Sequence, residues 1–235
     1  MSTIRLITAS CTIAALVAVP FRGLAAQEDG VALAIVYDTS GSMKEQVRDR
    51  NGKLAPKYVI ANRALEAISE RIQAFATGGS RTVHAGLFVF EGTGAKQAVK
   101  FGPFEASSIQ TWAKKFTAPE GGTPLGNALT AASQAVLNSS LPRKHVLVIT
   151  DGINTVGPDP AAVMPRLSHL AEQKQNRLSV HFIAFDVNAK VFDGVKKLGA
   201  TVVGASDENQ LNSQLEFILQ KKILLEDEEP PAKKQ

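Results

Sequence analysis

Five oxygen-bearing side chains stand out by type and spacing. Asp38, Ser40 and Ser42 alternate within "YDTSGSM" (37–43). Thr123 follows the pair Gly121 and Gly122, and Asp151 closes the run "KHVLVITDG" (144–152). Alternate residues leaving a strand can face the same way, so three oxygens converge from five residues, and Gly41 lets the backbone turn without a side chain in the way. All five are hard donors, with no His or Cys among them. That chemistry suits Mg²⁺, Mn²⁺ or Ca²⁺ rather than Zn²⁺ or Cu²⁺. Two carboxylates are too few for a closed calcium cage, so water or a ligand must complete the shell. Two ionised carboxylates about 5 Å apart repel by roughly 3 kcal/mol at an effective dielectric near 20. A divalent cation between them reverses that sign, and without one an aspartate should have a raised pKa. Each residue also has a plainer role. Ser42 can cap a helix start, Thr123 can be the N-cap before Pro124, and Asp151 with Gly152 can form a turn. Their joint position at strand ends is what points to a metal.

The elements that must position them are legible as alternating strands and helices. "VALAIVYD" (31–38) is apolar and β-branched. Residues 56–76 place Ile60, Ala64, Ile68, Ile72 and Phe75 on one helical face, with Arg63, Glu66 and Glu70 off it. Residues 82–90 read as a strand, and 96–104 as a weaker one at an edge, since Gly102 and Pro103 interrupt it. A short helix follows from Ser107, then a longer one over 123–138. The four consecutive apolar residues Val146 to Ile149 fit a strand covered on both faces. Asp159 and Pro160 open a further helix. "SVHFIAFDV" and "ATVVGAS" are the last strands, and residues 207–225 the closing helix. Alternation of this kind implies an α/β layer fold with a mostly parallel sheet. Ligands bind such sheets outside the carboxyl ends of the strands, where Asp38 and Asp151 both stand.

"DTSGSM", then "GGTPLG", then "ITDG" resembles the von Willebrand factor type A domain with its metal-ion-dependent adhesion site. That family's pattern of Asp-x-Ser-x-Ser, a distant Thr and a distant Asp falls on Asp38, Ser40, Ser42, Thr123 and Asp151. "GLFVFEG" and "FIAFDV" are similar to the family's second and fifth strands, and the likeness covers nearly all of residues 27–226. The resemblance implies a Rossmann-like, doubly wound fold, with a mostly parallel six-stranded sheet, one antiparallel edge strand and helices on both faces. It also implies Mg²⁺ at the top of the sheet, with Mn²⁺ or Ca²⁺ as alternatives, and an acidic residue of a partner as its ligand. Loops 91–96, 119–122 and 154–157 should form the selecting rim, with Gly92, Thr93, Gly121, Gly122, Asn154 and Thr155 facing the partner.

The remaining composition narrows the setting. The 235 residues carry 44% hydrophobic content and a formal net charge of +4, enough for one sizeable core and without a basic, aromatic-laced stripe for nucleic acid. Residues 1–26 read as a secretory signal: Arg5, an apolar run ended by Pro20, and small residues for cleavage after Ala25 or Ala26. The expected setting is therefore periplasmic or secreted, with an exported protein as partner and no membrane span after processing. Cys11 is the only cysteine, so the processed chain holds no disulfide, thiolate site or cysteine nucleophile. Residues 227–235 read as a charged, disordered tail. An aspartic protease is disfavoured: Gly41 comes three residues after Asp38, and no second matching loop exists. The stronger rival is a Mg²⁺-dependent phosphoryl-transfer or hydrolytic enzyme using Asp38. The chain lacks G-x-x-x-x-G-K-[ST] and any aspartate two residues after Asp38. No H-E-x-x-H is present, and His84, His145, His181 and Trp112 read as packing residues. The expectation is a binding module without catalytic residues.

Overall fold

The structure, a computed structural model, describes residues 29–79 and 81–225. The secretory signal expected over residues 1–26 and the charged tail expected over 227–235 lie outside the described residues. Eight strands and six α-helices occur in the order β1 (Gly30–Tyr37), β2 (Gln46–Arg48), β3 (Leu54–Pro56), α1 (Lys57–Gly78), β4 (Thr82–Glu91), β5 (Gly94–Pro103), α2 (Ala106–Lys115), α3 (Leu125–Leu137), β6 (Arg143–Thr150), α4 (Pro160–Gln173), β7 (Leu178–Phe185), α5 (Asp193–Lys197), β8 (Thr201–Ala205) and α6 (Glu208–Ile218). Six strands form the main sheet in the order β5-β4-β1-β6-β7-β8. Every neighbouring pair is parallel except β4 with β5, the antiparallel edge.

The period-two alternation of β1 explains the two layers. Val31, Leu33, Ile35 and Tyr37 face a core shared with Ile60, Leu65 and Ile72 of α1, Ile109 of α2 and Leu211 and Leu215 of α6. Ala32, Ala34 and Val36 face the opposite core, with Ala128 and Ala132 of α3 and Met164 and Leu167 of α4. The alanines on both β1 and α3 let that helix lie close to the sheet. Every residue of β1 and of β6 is buried, as expected for central strands covered on both sides.

β1 sends its chain to α1 on one face, and β6 sends its chain to α4 on the other. Their carboxyl ends are adjacent and diverge, which makes a switch point between Asp38 and Asp151. The small antiparallel pair β2–β3, which precedes α1 on this same end, was not expected from the sequence. Its turn carries Asn51 and Gly52, the latter at φ +76°, a conformation glycine adopts without a Cβ penalty. Helix α3 also begins differently from expectation. Pro124 takes the N-cap place and Thr123 makes no cap bond, which leaves its hydroxyl for another use. Among the described residues no helix is long and apolar enough to cross a membrane.

Candidate metal centre

Asp38 leaves β1 fully buried, its backbone N–H donating to Ile149 O of β6 at 3.0 Å. The Asp38 carboxylate accepts from Ser40 N–H at 2.8 Å and from the Thr150 hydroxyl at 2.6 Å. The chain then tightens into a 3-10 turn over Gly41–Lys44. This turn brings Ser40 Oγ within 3.0 Å of Ser42 Oγ, and Ser42 Oγ donates to Asp151 Oδ1 at 2.8 Å. Neighbouring loops clamp the turn: Gly41 N–H donates to Gly121 O at 3.1 Å, and Glu120 N–H to Thr39 O at 2.8 Å. Thr123 is tied to the loop after β6, since Thr123 N–H donates to Thr155 Oγ1 at 2.8 Å and Thr155 N–H to Thr123 O at 3.0 Å. A Cβ on Gly152 would stand 3.7 Å from Thr123 Oγ1 and 3.8 Å from Ser42 Oγ, so those two hydroxyls flank one point of the chain. The five residues singled out by sequence are thus gathered in space, although 113 positions separate the first from the last.

The expected rim lies on the same end of the sheet. Gly92, Thr93, Gly121 and Thr155 are exposed, and Gly122 and Asn154 half-buried. Several of them also brace the scaffold. Thr93 O accepts from Asn127 Nδ2 at 2.6 Å, and Asn154 Nδ2 donates to Gly157 O at 3.0 Å. A Cβ on Gly122 would stand 2.7 Å from Val156, so a glycine is needed where the two loops meet. Trp112 stacks on Phe116 at 4.9 Å and meets Tyr37 edge-on, a packing role as expected.

Four residues near the centre were missed in the sequence. Thr150 fixes Asp38 from the adjacent strand. Lys57, 2% exposed at the start of α1, places its ammonium 2.8 Å from Glu45 Oε2, 3.1 Å from Asp151 Oδ2 and 3.2 Å from Asp186 Oδ2. Asp186 carried a signal. Like Asp38 and Asp151, it ends an apolar strand, and it holds φ +54° there, a conformation uncommon outside glycine. Lys57 carried none, since a lysine in the first turn of an amphipathic helix ordinarily faces water.

Burial first, and then the Asp151 charge, push the Asp38 carboxyl up to about 6, against hydrogen bonds from Ser40 and Thr150 that act the other way. Burial also works against the charge of Lys57. Its hydrogen bond to Glu45 and the charge of Asp151 outweigh that, and its pKa stands above the ordinary lysine range. A raised carboxyl pKa makes the metal-free fold most stable below the ordinary aspartate value, and that stability is lost as pH rises through about 6. The difference is on the order of 3 kcal/mol. In EDTA, urea unfolding of wild type minus that of Asp38→Asn should show this loss between roughly pH 4 and 6; equal pH slopes in the two proteins would refute it.

The donor set fits a hard divalent ion. Among the described residues no cluster of three or more His, Cys, Asp or Glu is suited to an ion, so hydroxyls must complete any shell here. Two buried carboxylates in repulsion, with three hydroxyls beside them, are such a set.

Comparison with known proteins accords with this fold. The von Willebrand factor type A domain profile matches residues 32–217. No curated protein matches the chain by sequence. Among solved structures, a variant of the PilB minor pilin from Streptococcus sanguinis superposes with a TM-score of 0.61 at 18% identity, covering 86% of this chain and 62% of that one. The pilus adhesin SpaC from Lactobacillus rhamnosus GG gives 0.60 at 15% identity, covering 82% and 30%. Proximal thread matrix protein 1 from the mussel byssus, with a zinc-occupied MIDAS motif, gives 0.60 at 15% identity, covering 82% and 48%. The chain therefore spans less than two thirds of each of these proteins, and at such identities the likeness is one of fold.

Proposed function

Because the chain belongs to the von Willebrand factor type A domain family, we propose that it is an exported, metal-dependent protein-binding module. Asp38, Ser40, Ser42, Thr123 and Asp151 hold Mg²⁺, with Mn²⁺ or Ca²⁺ as alternatives, in a metal-ion-dependent adhesion site. The bound ion supplies an electrophilic point that an Asp or Glu carboxylate of another exported protein can ligate. The carrying observation is the chain of hydrogen bonds from Ser40 through Ser42 to Asp151, lying beside the buried Asp38 at the switch point of the sheet. Thr150 holds Asp38 in place, Gly121 O holds the turn, and the loops bearing Gly92, Thr93, Gly121, Gly122, Asn154 and Thr155 form the rim a partner meets. Loops on a rigid scaffold are where recognition concentrates. Residues 1–26 are proposed to direct export, with cleavage after Ala25 or Ala26. Support for a role in adhesion or assembly comes from the pilin and the pilus adhesin among the structural neighbours.

The test is a pull-down from the native exported fraction with Mg²⁺, with EDTA, and with Asp38→Ala as bait. A partner retained only by wild type with Mg²⁺ supports the reading, and replacement of its exposed acidic residues should find one that abolishes capture. Retention indifferent to both EDTA and Asp38→Ala rejects metal-bridged binding. Asp38→Ala should also lose detectable Mg²⁺ binding in calorimetry while keeping a native circular dichroism spectrum. Metal-dependent phosphoester turnover by wild type would favour the enzymatic alternative instead.

A further inference from the structure

Lys57 sets the buried charge at the candidate centre. It is the first residue of α1, anchored by its N–H donating to Glu45 O at 2.8 Å. Its ammonium meets Glu45, Asp151 and Asp186, but those carboxylates are not equivalent. The side chain of Glu45 is 68% exposed and that of Asp186 38%, so water screens both. Lys57 and Asp151 are sealed from solvent at 3% and 0%. Asp151 is also divided between two donors. Ser42 takes Oδ1 and Lys57 takes Oδ2, so Oδ1 is the oxygen on the side of the Ser42 hydroxyl.

The unscreened charges are then Asp38, Asp151 and the opposing Lys57. With Lys57, a divalent ion leaves the buried centre with a net positive charge, which an anionic ligand neutralises. Without Lys57, the two aspartates alone balance the ion, and neutral water suffices. We infer that Lys57 is a specificity-determining residue that weakens metal binding and in exchange makes the loaded centre select a carboxylate, an inference that rests on the metal-binding reading above. Lys57 also fixes which oxygen Asp151 presents, so it acts through Asp151.

The experiment uses Mn²⁺ and acetate as probes on wild type, Lys57→Gln and Lys57→Arg. Calorimetry gives the Mn²⁺ affinity. Water-proton relaxation of the Mn²⁺-loaded protein gives the acetate concentration that displaces bound water. In Lys57→Gln the Mn²⁺ affinity should rise by about tenfold or more, a modest share of what a unit charge does to a nearby divalent ion at an effective dielectric near 20. The acetate needed should rise by a similar factor, while Lys57→Arg keeps the charge and stays near wild type in both. A residue that only supported the fold would lower metal affinity when replaced, not raise it. If Lys57→Gln does not fold, the double variant Lys57→Gln/Glu45→Gln removes one of the carboxylates left unpaired and is held to the same two shifts. Normal Mn²⁺ uptake by wild type with unchanged or weaker uptake by the folded Lys57→Gln protein, or by the folded double variant in its place, overturns this inference alone. No Mn²⁺ uptake by folded wild type overturns the metal-binding reading and this inference with it.

Discussion

Gly126→Ala is expected to lower the melting temperature by roughly 4–8 °C, the equivalent of about 2 kcal/mol for a domain of this size. Gly126 lies in the first turn of α3. A Cβ there would stand 2.1 Å from Pro158 O and 2.9 Å from Pro158 C, both backbone atoms of the loop that leads from Asp151 to α4. Neither is the end of a flexible side chain, so helix and loop must separate. Overpacking of this severity costs about 3 kcal/mol, and the better helix propensity of alanine returns up to about 1 kcal/mol. The displacement reaches the centre, because Gly126 N–H approaches Asn154 Oδ1 and Thr155 holds Thr123. Mg²⁺ affinity should therefore fall several-fold together with stability. Gly78→Ala is the control. Gly78 closes α1 with nothing within 4 Å of a Cβ, and its replacement should leave the melting temperature unchanged or slightly raised. Thermal unfolding of both variants decides the matter. A Gly126→Ala protein that melts with wild type would show that α3 is not seated against residue 158.

Gly126 also shows where sequence reading stops. Periodicity found α3, and within it a lone glycine reads as a weak point rather than as a contact, because the partner backbone lies 32 positions away. The same limit explains Lys57. Its helix was legible from Ile60, Ala64, Ile68 and Ile72, all of them buried as expected, with Phe75 only partly so. That its ammonium turns inward depends on Glu45, Asp151 and Asp186 arriving from three other elements. By contrast, the strand ends were readable because β1 is apolar almost throughout, β6 carries the apolar run Val146 to Ile149, and each leads to an aspartate. The Asp159 cap was readable because its chemistry is local, and its side chain does accept from Ala161 N–H. The hairpin at 46–56 escaped because its strands are three residues each, too short to show an alternation, and the second ends in Pro56; only Asn51–Gly52 marked its turn.

Acidification from pH 7 to 5 should cost up to about 4 kcal/mol through His145 and His181. The two sit on neighbouring strands β6 and β7, on the face shared with Leu147 and Ile183, with rings stacked at 5.6 Å and Nδ1 of His145 3.3 Å from Nε2 of His181. Burial, then His181 and the charges of Arg143 and Arg177, push His145 down to about 3. Burial and Lys222 push His181 down to about 4. A lowered pKa means that the neutral rings stabilise the fold. Their contribution is complete above about pH 6.5 and is lost as pH falls towards the folded values. At pH 5 each ring is about 1.5 units below its unfolded pKa, or about 2 kcal/mol. Asp38 acts in the opposite direction over the same range, returning about 1–2 kcal/mol to the metal-free fold at pH 5. The histidines win because there are two of them and their shifts are larger. The net loss is then roughly 2–3 kcal/mol, a large share of the 5–15 kcal/mol typical of a domain. The double variant His145→Gln/His181→Gln isolates the effect, since Asp38 contributes equally to both proteins and cancels. Urea midpoints measured from pH 7.5 to 5 in EDTA should converge as pH falls, wild type losing its lead. If the two proteins keep a constant difference across that range, the histidine pair does not drive acid sensitivity.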